Sequence, residues 1–336
     1  MTVTAPAVTF TAPGRVEVTE VELPDVGPGE VGVRTAYSGI SQGTERWLFT
    51  GRYNHAGDDV ARNYPCFPGY QAAGVVEAVG DGVTDVTPGD HVMLQGTRFA
   101  DPEIANPGPG LAAHVGYLVA PRAAVTPVLP DVALAEASLY RMAAVSRHGV
   151  RLVGVRPGDV VCVIGLGLIG QMAAQAARRA GAHVIAGDLI PARVEAAAKY
   201  SADVAVDVRE RSLEEALRES APDGADVVID TTGVSSMFST CLELVRYEGR
   251  ISLQGYYPDP ISIEFHPTHL KRVSVTFPCA WDADRDGELA ADLASGRVSI
   301  GPLITHRFPY TQAAEAYATV LDHPEASIGM VFDWSR

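Results

Sequence analysis

The stretch Val160-Val161-Cys162-Val163-Ile164-Gly165-Leu166-Gly167-Leu168-Ile169-Gly170 constrains the fold of this chain more than any other. Five apolar residues in a row read as a strand buried on both faces, and three glycines at G-x-G-x-x-G spacing follow at once. Residues 171–179 are rich in helix formers and contain neither Gly nor Pro. Strand, glycine turn and helix in that order fit a site for the pyrophosphate of a dinucleotide. Gly165 permits the tight turn, Gly167 lets a diphosphate approach backbone that carries no Cβ, and Gly170 lets the helix pack close to the strand. Leu168 and Ile169 open the helix, where unpaired N–H groups and the positive dipole end face the phosphates.

A second strand, residues 183–187, runs into Asp188, eighteen residues beyond Gly170. That is close to the spacing of the carboxylate that grips the ribose hydroxyls of NAD. An NADP site needs positive charge for its extra phosphate. Arg193 lies five residues on, so NADP stays open, but Asp188 favours NAD(H). The plainer reading is a β–turn–α unit that binds nothing, and three agreeing features stand against it.

Around this unit the chain alternates. Strands are expected at 204–206, 225–230 and 250–254, and helices at 193–200, 213–219 and 236–245. Such alternation builds a doubly wound parallel sheet with its ligand at the carboxyl ends of the strands. Thr231, Thr232, Gly233, Gly255 and Tyr256 therefore join the three glycines, Asp188 and Arg193 as candidate cofactor residues. Before about residue 130 the pattern is mostly β, with short runs at 16–18, 31–34, 74–79 and 91–94 between Pro/Gly turns. It turns helical from 134 to 152, and the tail from about 283 carries two helical patches and a last strand, 328–332. The expected fold class is α/β: a β-rich first domain over 1–150, a Rossmann domain over 151–282, and a return segment over 283–336 that completes the first domain.

With 336 residues the chain is long enough for two cores. A net charge of −15 argues against nucleic acid or an anionic membrane as partner, because both attract positive surface. No apolar run reaches membrane-spanning length. The first residues, Met1-Thr2-Val3-Thr4-Ala5-Pro6, lack the basic-then-apolar pattern of a secretory signal. Cys66, Cys162, Cys241 and Cys279 form no C-x-x-C pair, which fits a reducing, cytoplasmic setting.

Four further segments carry a resemblance. They are Ser38-Gly39-Ile40-Ser41-Gln42-Gly43-Thr44-Glu45, Phe67-Pro68-Gly69-Tyr70-Gln71-Ala72-Ala73-Gly74, Pro88-Gly89-Asp90-His91-Val92, and Pro157-Gly158-Asp159 ahead of the nucleotide strand. With the tail segment Thr305-His306-Arg307-Phe308, they make nearly the whole chain resemble the medium-chain dehydrogenase/reductase superfamily. The resemblance implies a GroES-like catalytic domain beside the Rossmann domain, with the nicotinamide in the cleft between them. The S-G-I-S-x-G-T-E form is similar to a zinc-free branch that includes the bacteriochlorophyllide dehydrogenases.

Departures from the zinc enzymes decide the expected chemistry. Those relatives carry G-I-C-G-T-D and G-H-E at these two positions. Here Ser41 replaces the cysteine, with one extra residue before Gly43, and Tyr70-Gln71 replaces the His-Glu pair. Tyr140 stands where some members place a third ligand carboxylate, and residues 94–119 lack the cysteines of a structural zinc loop. Catalytic zinc needs about three nitrogen, sulfur or carboxylate ligands, which neutral Ser, Tyr and Gln do not supply. No metal is therefore expected.

Without zinc, phenol and hydroxyl donors would have to stabilise charge on the reacting oxygen. By resemblance Tyr70 faces the cleft, where a nearby cation would lower its pKa. Ser41, Thr44 and Gln71 are candidate partners on the same wall, and Thr44 matches the hydroxyl residue that starts the proton relay of the zinc relatives. His148, in the helix entering the nucleotide domain, is a candidate proton shuttle. His114 and Tyr140 are weaker candidates. Glu45 reads as a structural ion pair with Arg46 or Arg52 rather than a base, and His266-Pro267-Thr268-His269 as a loop, since Pro267 argues against a helical turn. Residues 46–65, with Trp47, Phe49, Tyr53, His55 and Tyr64, read as a loop over the cleft, and 96–110 as a second loop shaping the pocket.

The function expected is a zinc-independent, NAD(H)-linked dehydrogenase/reductase of a secondary alcohol or ketone in a polar, cyclic or sugar-like small molecule. The alternatives are an NAD(P)H-dependent reductase of activated C=C bonds, and a non-catalytic dinucleotide-binding protein. A homodimer is expected, with the uncharged strand 273–277 as its candidate edge.

Overall fold

The computed structural model describes residues 3–53, 64–101, 104, 112–129, 131–279 and 286–335. Two compact units result. The first comprises Met1–Arg141, Arg285–Gly296 and Ile300–Arg336, and the second Met142–Asp284 with Arg297–Ser299.

The first unit starts with an antiparallel pair, β1 (Val3–Ala12) and β2 (Arg15–Leu23). Then come β3 (Glu30–Ile40), helix α1 (Gln42–Phe49), β4 (Ala72–Val79), β5 (His91–Leu94), β6 (Tyr117–Pro121), β7 (Val125–Pro127) and the short α2 (Leu134–Ala137). β3 is central. It pairs with β4 and β6, and Gly74 is needed opposite it because a Cβ there would lie 2.1 Å from the Arg34 carbonyl oxygen. Val31, Val33, Val76, Val92, Leu94 and Leu118 from these strands are fully buried in one core.

Residues 46–49 are helical rather than part of a loop. Phe49 belongs to a second core, stacked on Tyr317 with ring centres 5.3 Å apart, and Tyr64 donates its hydroxyl to the Leu48 carbonyl, capping the end of α1. Both side chains are therefore structural. His55 lies outside the described residues, as does most of 102–110.

The second unit opens on α3 (Tyr140–Leu152), most of which belongs to it, and continues through β8 (Val160–Ile164), α4 (Leu168–Arg179), β9 (His183–Asp188) and α5 (Pro191–Tyr200). β10 (Val204–Asp207), α6 (Leu213–Leu217), β11 (Ala225–Asp230), α7 (Met237–Leu244) and β12 (Val245–Leu253) follow, then α8 (Phe265–Lys271) and β13 (Ser274–Thr276). The six strands are parallel in the order β10-β9-β8-β11-β12-β13, so the chain winds outward twice from the β8/β11 seam. Cys162 and Ile164 enter one apolar layer and Val161 and Val163 the other, as a strand buried on both faces requires.

Two expectations need correction. The unit boundary falls at Arg141/Met142 rather than at 150/151. α3 packs with the parallel sheet: the Ser146 hydroxyl reaches the Ile169 carbonyl at 3.2 Å, and a Cβ on Gly149 would meet the Gln254 side chain at 2.5 Å. Residues 266–269 are helical, not a loop. With Glu264 as N-cap, Pro267 sits in the first turn, where no intrahelical acceptor waits for its missing N–H.

Residues 286–335 return to the first unit, apart from Arg297–Ser299. They form α9 (Asp286–Ala294), β14 (Ile304–Pro309), α10 (Ala313–Asp322) and β15 (Gly329–Asp333). β15 pairs with β3 and extends that sheet to β14. Among the described residues no helix is long and apolar enough to cross a membrane.

Candidate functional site

The glycine turn leaves β8 with Gly165 at φ +86°, a conformation that disfavours any Cβ. At Gly170 a Cβ would fall 1.9 Å from the Gly165 carbonyl oxygen, so α4 can pack on the turn only with glycine there. Gly167 is the N-cap of α4, and the space a Cβ would take is empty to 4 Å. Together they leave an open approach to the first turn of α4, where Leu168 and Ile169 present N–H groups that no helical carbonyl takes up.

Asp188 ends β9 and reaches back into this turn. Its Oδ2 accepts the Leu166 N–H at 2.6 Å and its Oδ1 accepts the Ile190 N–H at 2.9 Å. Each oxygen keeps a second lone pair, which suits a ribose diol. Arg193 Nη1 lies 3.7 Å from the same Oδ2, so one carboxylate braces the turn and engages the neighbouring cation. Thr231 closes the far side by donating to the Gly165 carbonyl at 2.9 Å. Gly233 (φ +70°) and Gly255 lie backbone to backbone: a Cβ on Gly255 would be 2.5 Å from the Gly233 nitrogen, and one on Gly233 would be 2.6 Å from the Tyr256 carbonyl oxygen. The candidate cofactor residues thus converge at the carboxyl ends of β8, β9, β11 and β12. This donor geometry fits a dinucleotide.

In the first unit α1 brings the hydroxyls together. Ser41 is its N-cap, and Ser41 Oγ accepts the Tyr70 phenol at 2.8 Å. Thr44 adds a second hydrogen bond to that phenol, and Tyr53 lies beside it. Burial pushes the Tyr70 phenol up to about 12, and the Glu45 charge pushes the same way, while the Ser41 and Thr44 hydrogen bonds pull down. The expected cation-lowered phenol is thereby corrected: desolvation dominates, and Tyr70 keeps its proton at neutral pH.

Gln71 also needs correction as a partner on this wall. It is fully buried, its carbonyl accepts the Arg141 N–H at 3.1 Å, and its amide nitrogen faces the Gly39 carbonyl. His148 belongs to the second unit, half-buried in α3, with Nδ1 3.4 Å from Arg151 Nη2. Tyr140 is buried and accepts a hydrogen bond from Arg141 Nη2 at 2.6 Å, with the guanidinium stacked over its ring.

Glu45 is structural, but among the described residues its partner is His114 and not Arg46 or Arg52. It turns inward to 1% exposure, while Arg46 and Arg52 both lie over the Trp47 indole. Its Oε1 accepts the Ser41 N–H at 2.8 Å, and its Oε2 takes the Tyr317 hydroxyl at 2.5 Å and His114 Nε2 at 3.1 Å. His114 Nδ1 lies 2.7 Å from Ser38 Oγ, which also accepts the Trp334 indole N–H at 2.8 Å. One assignment satisfies every group: Trp334 donates to Ser38, Ser38 to Nδ1, and Nε2–H to the Glu45 carboxylate. Sequence reading missed this network. The one local cue was His114, an imidazole set between Ala113 and Val115 in an apolar run.

The donor set does not fit catalytic zinc. Ser41, Thr44 and Tyr70 offer neutral hydroxyls, Gln71 is turned to the backbone, and Glu45 and His114 are committed to each other and to their neighbours. Among the described residues, no three His, Cys, Asp or Glu side chains gather as a metal site.

A doubly wound parallel sheet with this turn, joined in one chain to a β-rich unit, defines a dinucleotide-binding dehydrogenase. Residues 27–130 match the alcohol dehydrogenase GroES-like domain, and residues 169–292 the zinc-binding dehydrogenase family. The chain belongs to the medium-chain dehydrogenase/reductase superfamily, in its alcohol dehydrogenase-like part. It is 30% identical to 2-desacetyl-2-hydroxyethyl bacteriochlorophyllide A dehydrogenase of Cereibacter sphaeroides, over 98% of each chain. It is 28% identical to a putative D-xylulose reductase of Agrobacterium fabrum, over 94% of this chain and 95% of that one. Its fold is that of an Escherichia coli oxidoreductase/dehydrogenase of unknown specificity, with a TM-score of 0.87 at 24% identity over 98% of this chain and 99% of the other.

Proposed function

We propose that this chain is a zinc-independent, NAD(H)-linked oxidoreductase that interconverts a secondary alcohol and the matching ketone in a polar small molecule, cyclic or sugar-like. The observation that carries it is the Tyr70 phenol, bonded to Ser41 Oγ at 2.8 Å and to Thr44, at the position that by resemblance holds a ligand histidine in the zinc relatives. Bound NAD(H) supplies the hydride acceptor or donor. Tyr70 holds its proton, and on substrate binding its single O–H turns from Ser41 Oγ to the substrate oxygen as negative charge develops there, while the Ser41 and Thr44 hydroxyls donate to the phenol oxygen and fix its orientation. The two relatives named above, a hydroxyethyl bacteriochlorophyllide dehydrogenase and a putative xylulose reductase, support a hydroxyl/carbonyl pair as the reacting group.

Asp188, placed for a ribose diol and repelling a 2′-phosphate, supports NAD(H) over NADP(H). Initial rates over a panel of ketoses and cyclic ketones, with product analysis, test this reading. NADH is expected to exceed NADPH in kcat/KM by roughly tenfold or more, and Asp188→Ala to erase most of that gap. A saturated C–C product in place of an alcohol would transfer the chain to the C=C reductases. Turnover of nothing in the panel, with tight NADH binding, would mark a non-catalytic binder.

A homodimer belongs to the same proposal. Among the described residues β13 is an edge of its sheet, and Ile263, Phe265, Leu270 and Phe277 are exposed near it in sequence, Phe265 to 75%. Sedimentation equilibrium giving a monomer at micromolar concentration would remove it. A cytoplasmic setting is supported by four unpaired cysteines, and a disulfide-bonded native form would contradict it.

A further inference from the structure

Asp230 is a fully buried carboxylate at the carboxyl end of β11, and no role assigned so far uses it. Among the described residues it meets hydroxyl and N–H donors and no cation. Its Oδ1 accepts the Thr232 N–H at 2.8 Å, and its Oδ2 accepts the Tyr257 phenol at 2.7 Å. Its main-chain carbonyl accepts the Gln254 N–H at 2.8 Å and the Gly255 N–H at 3.2 Å. Burial pushes both the Asp230 carboxyl and the Tyr257 phenol up, and the phenol is the donor of the pair. A carboxylate buried without a cation is costly, and its retention calls for a use beyond stability.

Position supplies that use. One residue ties together two turns, 231–233 after β11 and 255–257 after β12, which already touch at Gly233 and Gly255. In the order β9-β8-β11-β12, Asp188 marks the adenosine-ribose side and the glycine turn of β8 the pyrophosphate. A dinucleotide laid across that crevice carries its other half over the ends of β11 and β12.

We infer that Asp230 and Tyr257 are a buried positioning pair that presets the exit turns of β11 and β12 for the nicotinamide half of the cofactor. The inference rests on dinucleotide binding and not on the alcohol chemistry proposed above. Neither side chain touches the reacting atoms.

The test is binding rather than turnover. NADH and ADP-ribose, which lacks the nicotinamide, are titrated against the full chain and its Tyr257→Phe and Asp230→Asn variants by calorimetry, with thermal midpoints measured in parallel. Tyr257→Phe is expected to weaken NADH by about tenfold, the worth of one buried hydrogen bond, and to leave ADP-ribose within about twofold of the parent chain. Asp230→Asn, which keeps one acceptor oxygen, is expected to shift NADH in the same direction. Equal weakening of both ligands would show that the pair supports the whole unit and overturn the inference, as would no change in either. Failure of the parent chain to bind NADH at all would instead strike at dinucleotide binding.

Discussion

Tyr70→Phe is expected to lower kcat by roughly two to four orders of magnitude while NADH affinity stays near that of the parent chain. The substitution removes one oxygen and little volume. Before substrate binds, that oxygen donates to Ser41, an acceptor the substrate oxygen can replace, and burial holds it protonated up to about 12. No pH between 6 and 9 ionises it, so its service is donation of a hydrogen bond to an oxygen gaining charge, and Phe cannot replace it. Folding should lose only about 1 kcal/mol, the net worth of one hydrogen bond. Steady-state kinetics with a thermal melt separates the two effects. A kcat within about threefold of the parent, a change of under 1 kcal/mol in barrier, would assign the chemistry to another group.

The second large effect falls on Glu45, and it is on stability. Glu45→Ala is expected to cost about 3–5 kcal/mol, since each buried donor left unsatisfied costs about 1–3 kcal/mol and the site can relax only in part. Three donors lose their acceptor together: the Ser41 N–H, the Tyr317 hydroxyl and His114 Nε2. His114 is fully buried and Tyr317 sits in the aromatic core with Phe10 and Phe49, so water cannot easily replace the carboxylate. Glu45→Gln keeps the shape and one acceptor oxygen and should cost less. Urea unfolding monitored by circular dichroism measures both, and a loss below about 1 kcal/mol for the alanine variant would mean that the network does not hold the first unit together.

What could be read from the sequence followed the range of the interactions involved. Local patterns were legible. Val160 to Gly170 specifies a strand buried on both faces, a left-handed turn at Gly165 and a helix that tolerates no Cβ at Gly170, because each constraint acts within a few residues. The spacing to Asp188 was legible for the same reason, although not that its carboxylate would also brace Leu166. The Glu45 network was not. Ser38 and Trp334 lie 296 residues apart, and Glu45 and Tyr317 lie 272 apart, so no window of sequence contains the partners. Arg46 beside Glu45 suggested an ion pair, yet adjacent helical residues point in different directions. Residues 266–269 were misread by applying the proline rule without regard to position in the helix. Nothing local to Asp230 marks it as buried, and only the return of Tyr257 from the next loop shows that it is enclosed.

Both the proposed chemistry and the expected Tyr70 effect depend on neutral hydroxyls, with no bound cation, steadying the reacting oxygen. The most direct measurement is turnover of an accepted substrate before and after exhaustive dialysis against a strong chelator, with metal content determined on the same samples. Unchanged turnover with zinc far below one ion per chain is the expected result. Loss of activity that zinc alone restores, together with uptake of one zinc per chain, would contradict it.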